Sequence, residues 1–223
     1  ARVMGHEFSG EIVEVGGQVY GFKVGDRIAA VGMGANAEFL RIPVSRSDVV
    51  TLHIPSQVSY EEAATIEPLA TSLHAVNVAD PNDGDNILII GAGIIGLGVL
   101  QVIKAVSSCK VVMVDLSDKR LAMAQKIGAD VVINAKREDP YQKMIEMTGS
   151  TTIPFFSEPT AGVDIVFDCA GAIAEDRRTP VMWQALRMVK ENGKVILVAL
   201  YEKPFEIDHS IIVQKGIKML VVV

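Results

Sequence analysis

Apolar and polar positions change rhythm near residue 86, and the change divides the chain. Ahead of it, GEIVEVG (Gly10–Gly16) alternates with a two-residue period and Gly21 to Asp26 reads as a turn. RIAAV (27–31) and NAEFLRIP (36–43) are two further short apolar runs. Short strands separated by glycine turns predict a small barrel or sandwich. The stretch from Ser45 to Tyr60 is polar and irregular, with Pro55 as a breaker. Ser59 followed by Glu61 and Glu62 predicts a capped helix start that picks up Ala63 and Ala64. Pro68 interrupts it, and a second helical pattern from Leu69 to Val78 leads to the turn signal PNDGD.

Beyond Asn86 the apolar runs stop alternating. Ile87–Ile90, VVMVDL, DVVINA, VDIVFDCAG, KVILVAL and IKMLVVV are six near-continuous β-type runs. Helical patterns separate them at about Ile94–Val106, Lys119–Ile127 (closed by Gly128), Tyr141–Met147 and Val181–Lys190, with a less regular stretch holding Pro154, Phe155 and Phe156. Continuous apolar strands are what a parallel sheet covered on both faces requires. Six of them with crossover helices predict an α/β, doubly wound sheet. The chain therefore divides into a β-rich part, residues 1–75, and a dinucleotide-type part, residues 76–223.

The junction of the first run with its helix carries the first candidate chemistry. NILIIGAGIIGLG runs a buried strand directly into Gly91, Gly93 and Gly96. Glycines at this spacing allow a tight turn, close approach of a pyrophosphate, and close packing of helix on strand. Ile94 and Ile95 open the helix whose N–H groups face the phosphates. About 20 residues on, Asp115 ends the next strand, where a carboxylate meets the adenosine ribose hydroxyls and repels a 2′-phosphate. NAD is thus favoured over NADP, although Lys119 and Arg120 lie close behind and could offset a phosphate charge.

Composition narrows the remaining classes. A formal charge of -6 and the absence of a Lys/Arg run argue against a nucleic-acid surface. No apolar run nears the ~20 residues of a membrane span. Two cysteines, Cys109 and Cys169, cannot form a disulfide framework or a four-cysteine zinc site, and a reducing, cytoplasmic home is the default. Near the N-terminus, Gly5-His6-Glu7-Phe8-Ser9-Gly10 sets an imidazole beside a carboxylate, which suits zinc and equally forms a surface polar pair. Glu67 on its own reads as a carboxylate at a helix start.

Taken in order, GHEFSGEIVEVG, GDRIA, NAEFLRIP, EEAATIEPLATSLHAV and the GAGIIG turn with DLSDKRL downstream resemble the medium-chain zinc-dependent alcohol and polyol dehydrogenases, over nearly the whole chain. The resemblance implies a doubly wound Rossmann sheet plus a partial GroES-like β-barrel domain. It implies a zinc ligand at His6, and at Glu7 either a ligand or a group behind one. Glu67, in Glu67-Pro68-Leu69, matches the glutamate of the sorbitol and polyol branch, at the metal or on its bound water. Thr71 and Ile95 match residues beside the nicotinamide, and Arg120, Val198, Ala199 and Leu200 match further cofactor contacts.

Two departures stand out. The family's first zinc-ligand cysteine would fall ahead of Ala1, and the lobe carrying four cysteines for a structural zinc is missing between Arg27 and Asn36. Both ends of the sequence read as cut. The implied reaction is zinc-dependent hydride transfer from a secondary alcohol, a polyol or sugar alcohol, to NAD. The polypeptide as given is expected to bind NAD and to turn over poorly. A zinc-free quinone or enone reductase of the same superfamily and a non-catalytic nucleotide-binding protein are the rival readings. Cys109 is expected to pack under a strand start, Cys169 beside the cofactor cleft, and His53, His74 and His209 to be structural. The apolar run Met219–Val223 invites pairing with a second copy, as a homodimer or homotetramer.

Overall fold

Three short strands, β1 (Glu7–Glu11), β2 (Arg27–Val31) and β3 (Thr51–His53), form an antiparallel sheet in the order β1-β2-β3. The computed structural model describes residues 3–43, 51–153, 159–171, 181–201 and 204–222. The sequence pattern places the first strand too late. Pairing with β2 occupies Glu7–Glu11, and only Ile12 continues it, exchanging hydrogen bonds with Gly25 and Asp26. Val13, 61% exposed, has no core to meet despite its place in the alternation. The expected strand over 36–43 is absent as well. Asn36 donates to the Met4 carbonyl and Gly34 and Ala35 donate to Gly5, so the chain folds back on its own start, and Phe39 faces solvent.

Ser59 caps a short helix, α1 (Tyr60–Ala63): its hydroxyl accepts from Glu62 N and the Glu62 carboxylate accepts from Ser59 N, the reciprocal box the sequence predicts. A longer helix, α2 (Ile66–Ala79), follows. The break falls at Ala64–Thr65, ahead of Pro68. Pro68 occupies the first turn of α2, where its missing N–H removes no helix bond. Residues Ala1–Ala70 and Thr71–Val223 form two compact units.

The second unit holds six parallel strands: β4 (Asn86–Ile90), β5 (Lys110–Asp115), β6 (Val131–Asn134), β9 (Val163–Asp168), β10 (Val189–Leu197) and β11 (Lys218–Val221). Their order, β6-β5-β4-β9-β10-β11, is that of a doubly wound sheet with its switch point between β4 and β9. The helices are α3 (Ile94–Val106), α4 (Asp118–Ile127), α5 (Pro140–Thr148), α6 (Val181–Met188) and α7 (His209–Lys215). A two-residue antiparallel pair, β7 (Ser150–Thr151) with β8 (Thr160–Ala161), brackets residues 154–158, so Pro154, Phe155 and Phe156 lie outside the described residues.

Successive strand residues bury on opposite faces, which explains the unbroken apolar runs. Ile87, Ile89, Val111, Met113, Ile165 and Phe167 pack with α3 and α4. Leu88, Ile90, Val112, Val114 and Val166 pack with α5, α6 and α7. Each fully buried aliphatic side chain contributes about 1.5–3 kcal/mol. α6 ends two residues sooner than its pattern suggests, at Met188, and β10 begins at once. β10 also stops at Leu197, three residues short of the predicted run, because Val198 N and Ala199 N turn to the Asp168 carbonyl.

One buried cation fastens this second face. Lys215, 2% exposed at the end of α7, donates from Nζ to Thr160 Oγ1 (2.6 Å) and to the carbonyls of Leu186 (2.8 Å), Arg187 (2.9 Å) and Val189 (2.8 Å). It thereby supplies donors to carbonyls at the C-terminal end of α6. Burial, with the Arg187 charge adding to it, lowers its pKa to about 8.

Candidate active site

The turn after β4 shows why each of its glycines is there. Gly91 has φ +103, and a Cβ on it would lie 2.8 Å from the backbone of Cys169. A Cβ on Gly96 would lie 1.8 Å from the Gly91 carbonyl oxygen, so the first turn of α3 sits directly on the strand end. Gly93 differs: its φ is -76 and a Cβ there meets nothing within 4 Å. Two glycines serve packing, and the third leaves open space at the N-terminus of a 13-residue helix. As N-cap, Gly93 brings no side chain to the first N–H groups of that helix, where Ile94 is exposed and Ile95 half-buried. Such donors suit a pyrophosphate.

Asp115 ends β5, paired through Val114↔Ile90 with the neighbouring strand. Its Oδ2 accepts from Ala92 N at 2.8 Å inside the glycine turn, and its Oδ1 from Ser117 N at 2.8 Å. Each oxygen keeps lone-pair capacity for a sugar hydroxyl. Arg120 Nη1 lies 3.8 Å from Oδ2, which brings a second predicted residue to the same corner. On the other side of β4, Val198, Ala199 and Leu200 leave β10 and fold against the loop after β9. Thr71 is half-buried in α2.

The predicted metal residues also gather, within the first unit. Gly5, at φ +86, has no room for a Cβ, which would lie 2.4 Å from Asn36 Oδ1. This wedge, with Gly32 N donating to the His6 carbonyl at 2.8 Å, fixes the chain just as it enters β1. His6 Nε2 lies 3.4 Å from Glu7 Oε1 and 4.0 Å from Glu67 Oε1, and one ligand atom from each residue falls within 4.8 Å of the others. Tetrahedral zinc with bonds of about 2.1 Å spaces its ligands about 3.4 Å apart. One imidazole and two carboxylates form a donor set that suits zinc, with the His6–Glu7 pair at that spacing and Glu67 somewhat farther out. Residues of the first unit hold this cluster, and residues of the second form the glycine turn.

Other predicted roles are structural. Cys109 is buried just ahead of β5, its thiol directed at the Asn82 carbonyl (3.2 Å). Cys169 follows β9 and donates its N–H to Ile90; burial and the adjacent Asp168 hold its thiol far above the usual cysteine range. His53 stacks on Phe22, His74 is exposed on α2, and His209 opens α7. Three features escape sequence reasoning. The Gly5–Asn36 wedge has no pattern. Gly98 packs on Ser72, whose hydroxyl donates to the Ile95 carbonyl (3.1 Å), and only a fourth nearby glycine marks it. Asp168, a carboxyl within an apolar run, is the third, and that polarity is itself a readable signal.

Comparison with known proteins bears on the assembly. Residues 95–223 match the family model for zinc-binding dehydrogenases, and residues 1–56 match that for the alcohol dehydrogenase GroES-like domain. The chain belongs to the zinc-binding dehydrogenase family. Among its family relatives, (R,R)-butanediol dehydrogenase of Bacillus subtilis (strain 168) is 32% identical, over 95% of this chain and 62% of the relative. Sorbitol dehydrogenase of the same organism is 31% identical, over 94% and 64%. The crystal structure of 2R,3R-butanediol dehydrogenase from Bacillus subtilis superposes with a TM-score of 0.73 at 30% identity, covering 99% of this chain and 65% of that one. The dehydrogenase chain described here thus spans somewhat less than two thirds of the length of these relatives.

Proposed function

We propose that this zinc-binding dehydrogenase oxidises a secondary alcohol, a polyol or sugar alcohol, with NAD as hydride acceptor. The observation that carries the reading is the convergence of His6, Glu7 and Glu67, one imidazole and two carboxylates whose ligand atoms fall within 4.8 Å of one another. Zinc held there supplies Lewis acidity, which eases loss of the alcohol proton near neutral pH. The side chains do the rest. His6 contributes a neutral imidazole nitrogen, and the two carboxylates offset the charge of the metal. The first N–H groups of α3 take the pyrophosphate, Asp115 the adenosine ribose, and Arg120 flanks it. Thr71 and Ile95 are assigned to the nicotinamide side, and Val198, Ala199 and Leu200 to its far edge.

Substrate class follows from Glu67 and from relatives that act, by name, on butanediol and sorbitol. Self-association is assigned to β11, an edge strand whose Val221 is 62% exposed, giving a homodimer or a tetramer built from it. No described helix is long and apolar enough to cross a membrane. Two free cysteines fit a reducing, cytoplasmic setting.

The test pairs metal analysis of the purified chain with fluorescence titration by NADH and NADPH. Stoichiometric zinc, lost on His6→Ala, together with preference for NADH, is the expected result. NADPH preference without metal would point to a zinc-free reductase. Neither zinc nor a nucleotide response would reduce the chain to a non-catalytic protein.

A further inference from the structure

The carboxyl end of β9 holds a buried acid that the proposed reaction does not use. Asp168 is 0% exposed and sits in register with Ile90 of β4 and Leu197 of β10. Its Oδ2 accepts from the Tyr201 hydroxyl and its Oδ1 from Ala170 N at 3.2 Å. Its backbone carbonyl accepts from Val198 N (3.1 Å) and Ala199 N (2.9 Å), while Cys169 N donates to Ile90 (2.9 Å). Gly171, at φ +60, brings the two loops into backbone contact, since a Cβ on it would lie 2.9 Å from the Leu200 carbonyl oxygen. Tyr201 leans on Phe205, with ring centroids 4.5 Å apart. One residue therefore ties the glycine-turn strand, the loop after β9 and the segment 198–201 together.

An apolar side chain would fill the last buried position of β9 at lower cost. Burial raises the Asp168 pKa despite the donors on it, so the carboxyl is held at a penalty. What it organises can be read from strand order. Asp115 places an adenosine ribose on the β5 side of β4, and the helix after β4 takes the pyrophosphate. A dinucleotide spanning the switch point then lays its second half over β9 and β10. That half is the nicotinamide, and the wall it meets is the segment Asp168 and Tyr201 hold.

We propose that Asp168 and Tyr201 are positioning residues for the nicotinamide half of the cofactor, latching Val198–Leu200 against the loop after β9; this rests on the dinucleotide reading above. The probes are NADH and ADP-ribose, which shares the adenosine half and lacks the nicotinamide. Tyr201→Phe keeps the ring on Phe205 and deletes only the hydroxyl. On the full chain it should weaken NADH about tenfold, the value of one hydrogen bond to a charged group, and shrink the blue shift of bound NADH fluorescence. ADP-ribose affinity should change less than about twofold. Asp168→Asn, whose amide oxygen can still accept from Ala170 N while its NH2 donates to the Tyr201 oxygen, should recover most of the NADH affinity that Asp168→Ala loses. Equal weakening of both probes would mean general loosening and would overturn the latch, as would unchanged NADH binding by Tyr201→Phe. If the unmodified chain binds neither probe, the dinucleotide reading falls first and the latch with it.

Discussion

Gly93 and Gly96 lie three residues apart in one turn, yet a methyl group at each should have opposite consequences. At Gly96 the added Cβ would fall 1.8 Å from the Gly91 carbonyl oxygen and 3.4 Å from Ile89 Cγ2. Ordinary C···O approach stops at about 3.3 Å, so the start of α3 must retreat by about 1.5 Å. The carbonyl cannot retreat instead, because Gly91 is itself wedged against Cys169 and Ala170. Overpacking of this kind costs about 1–3 kcal/mol, and about 2 kcal/mol lowers Tm by roughly 4–8 °C in a chain of this size. A helix start displaced that far also loses its aim at the pyrophosphate, so NADH should bind at least about thirtyfold more weakly, the equivalent of about 2 kcal/mol. At Gly93 the Cβ meets nothing in the protein and φ is already ordinary for alanine. Gly93→Ala should leave Tm within about 1 °C, yet weaken NADH at least about tenfold by filling the space reserved for phosphate. Thermal melts and NADH fluorescence titration of both variants decide the matter. Tight NADH binding by Gly93→Ala would remove phosphate from this turn, and a Gly96→Ala protein with unchanged Tm would refute the packing argument.

Glu67→Ala should cost at least about tenfold in zinc affinity, read by chelator competition, while changing stability by less than about 1 kcal/mol because the side chain is a third exposed. Lys215 gives a pH signature. Its folded pKa of about 8 lies below its ordinary value of 10.5, so the unfolded chain holds more protons between those values and stability rises with pH across that window. Lys215→Met should lack this rise, up to about 3 kcal/mol relative to the parent, in urea melts at pH 7 and pH 10; parallel curves would sink the assignment. A charge on the open sheet edge, Val221→Asp, should shift the mass measured by light scattering to that of one chain, and an unchanged oligomer would move the interface elsewhere.

Much of the second unit was legible in the sequence because its signals are local, although α7, the β7–β8 pair and the early start of β10 at Val189 were not read from it. Ile87–Ile90 announces a strand buried on both sides, Gly91 a turn and Ile94–Val106 a helix, and the structure places them there. The cap at Ser59 was readable for the same reason, since both of its hydrogen bonds close within three residues. The first unit was less legible. Gly10–Gly16 alternates and Asn36–Pro43 reads as a short apolar run, yet strands need partners: past the end of β1 Ile12 bonds with Gly25 and Asp26, and Asn36 bonds with Met4. No period in a sequence reports which neighbour is available. The candidate site divides along the same line. Glycine spacing and Asp115 are properties of one βαβ segment, whereas the approach of Glu67 to His6 joins positions 61 residues apart and was reached only through family resemblance.

The four oxygens around Lys215 also say something about how the chain reaches this fold. An ammonium group sheds its water at tolerable cost only when every replacement acceptor is already in place. The seating of α7 therefore depends on Thr160 and the backbone from Leu186 to Val189 being in their native places. α7 thus couples its own stability to that of the completed interior, and β11, which begins at Lys218, is tied to the same contacts. Hydrogen exchange would display it as amides of α7 and β11 that open together with the central strands.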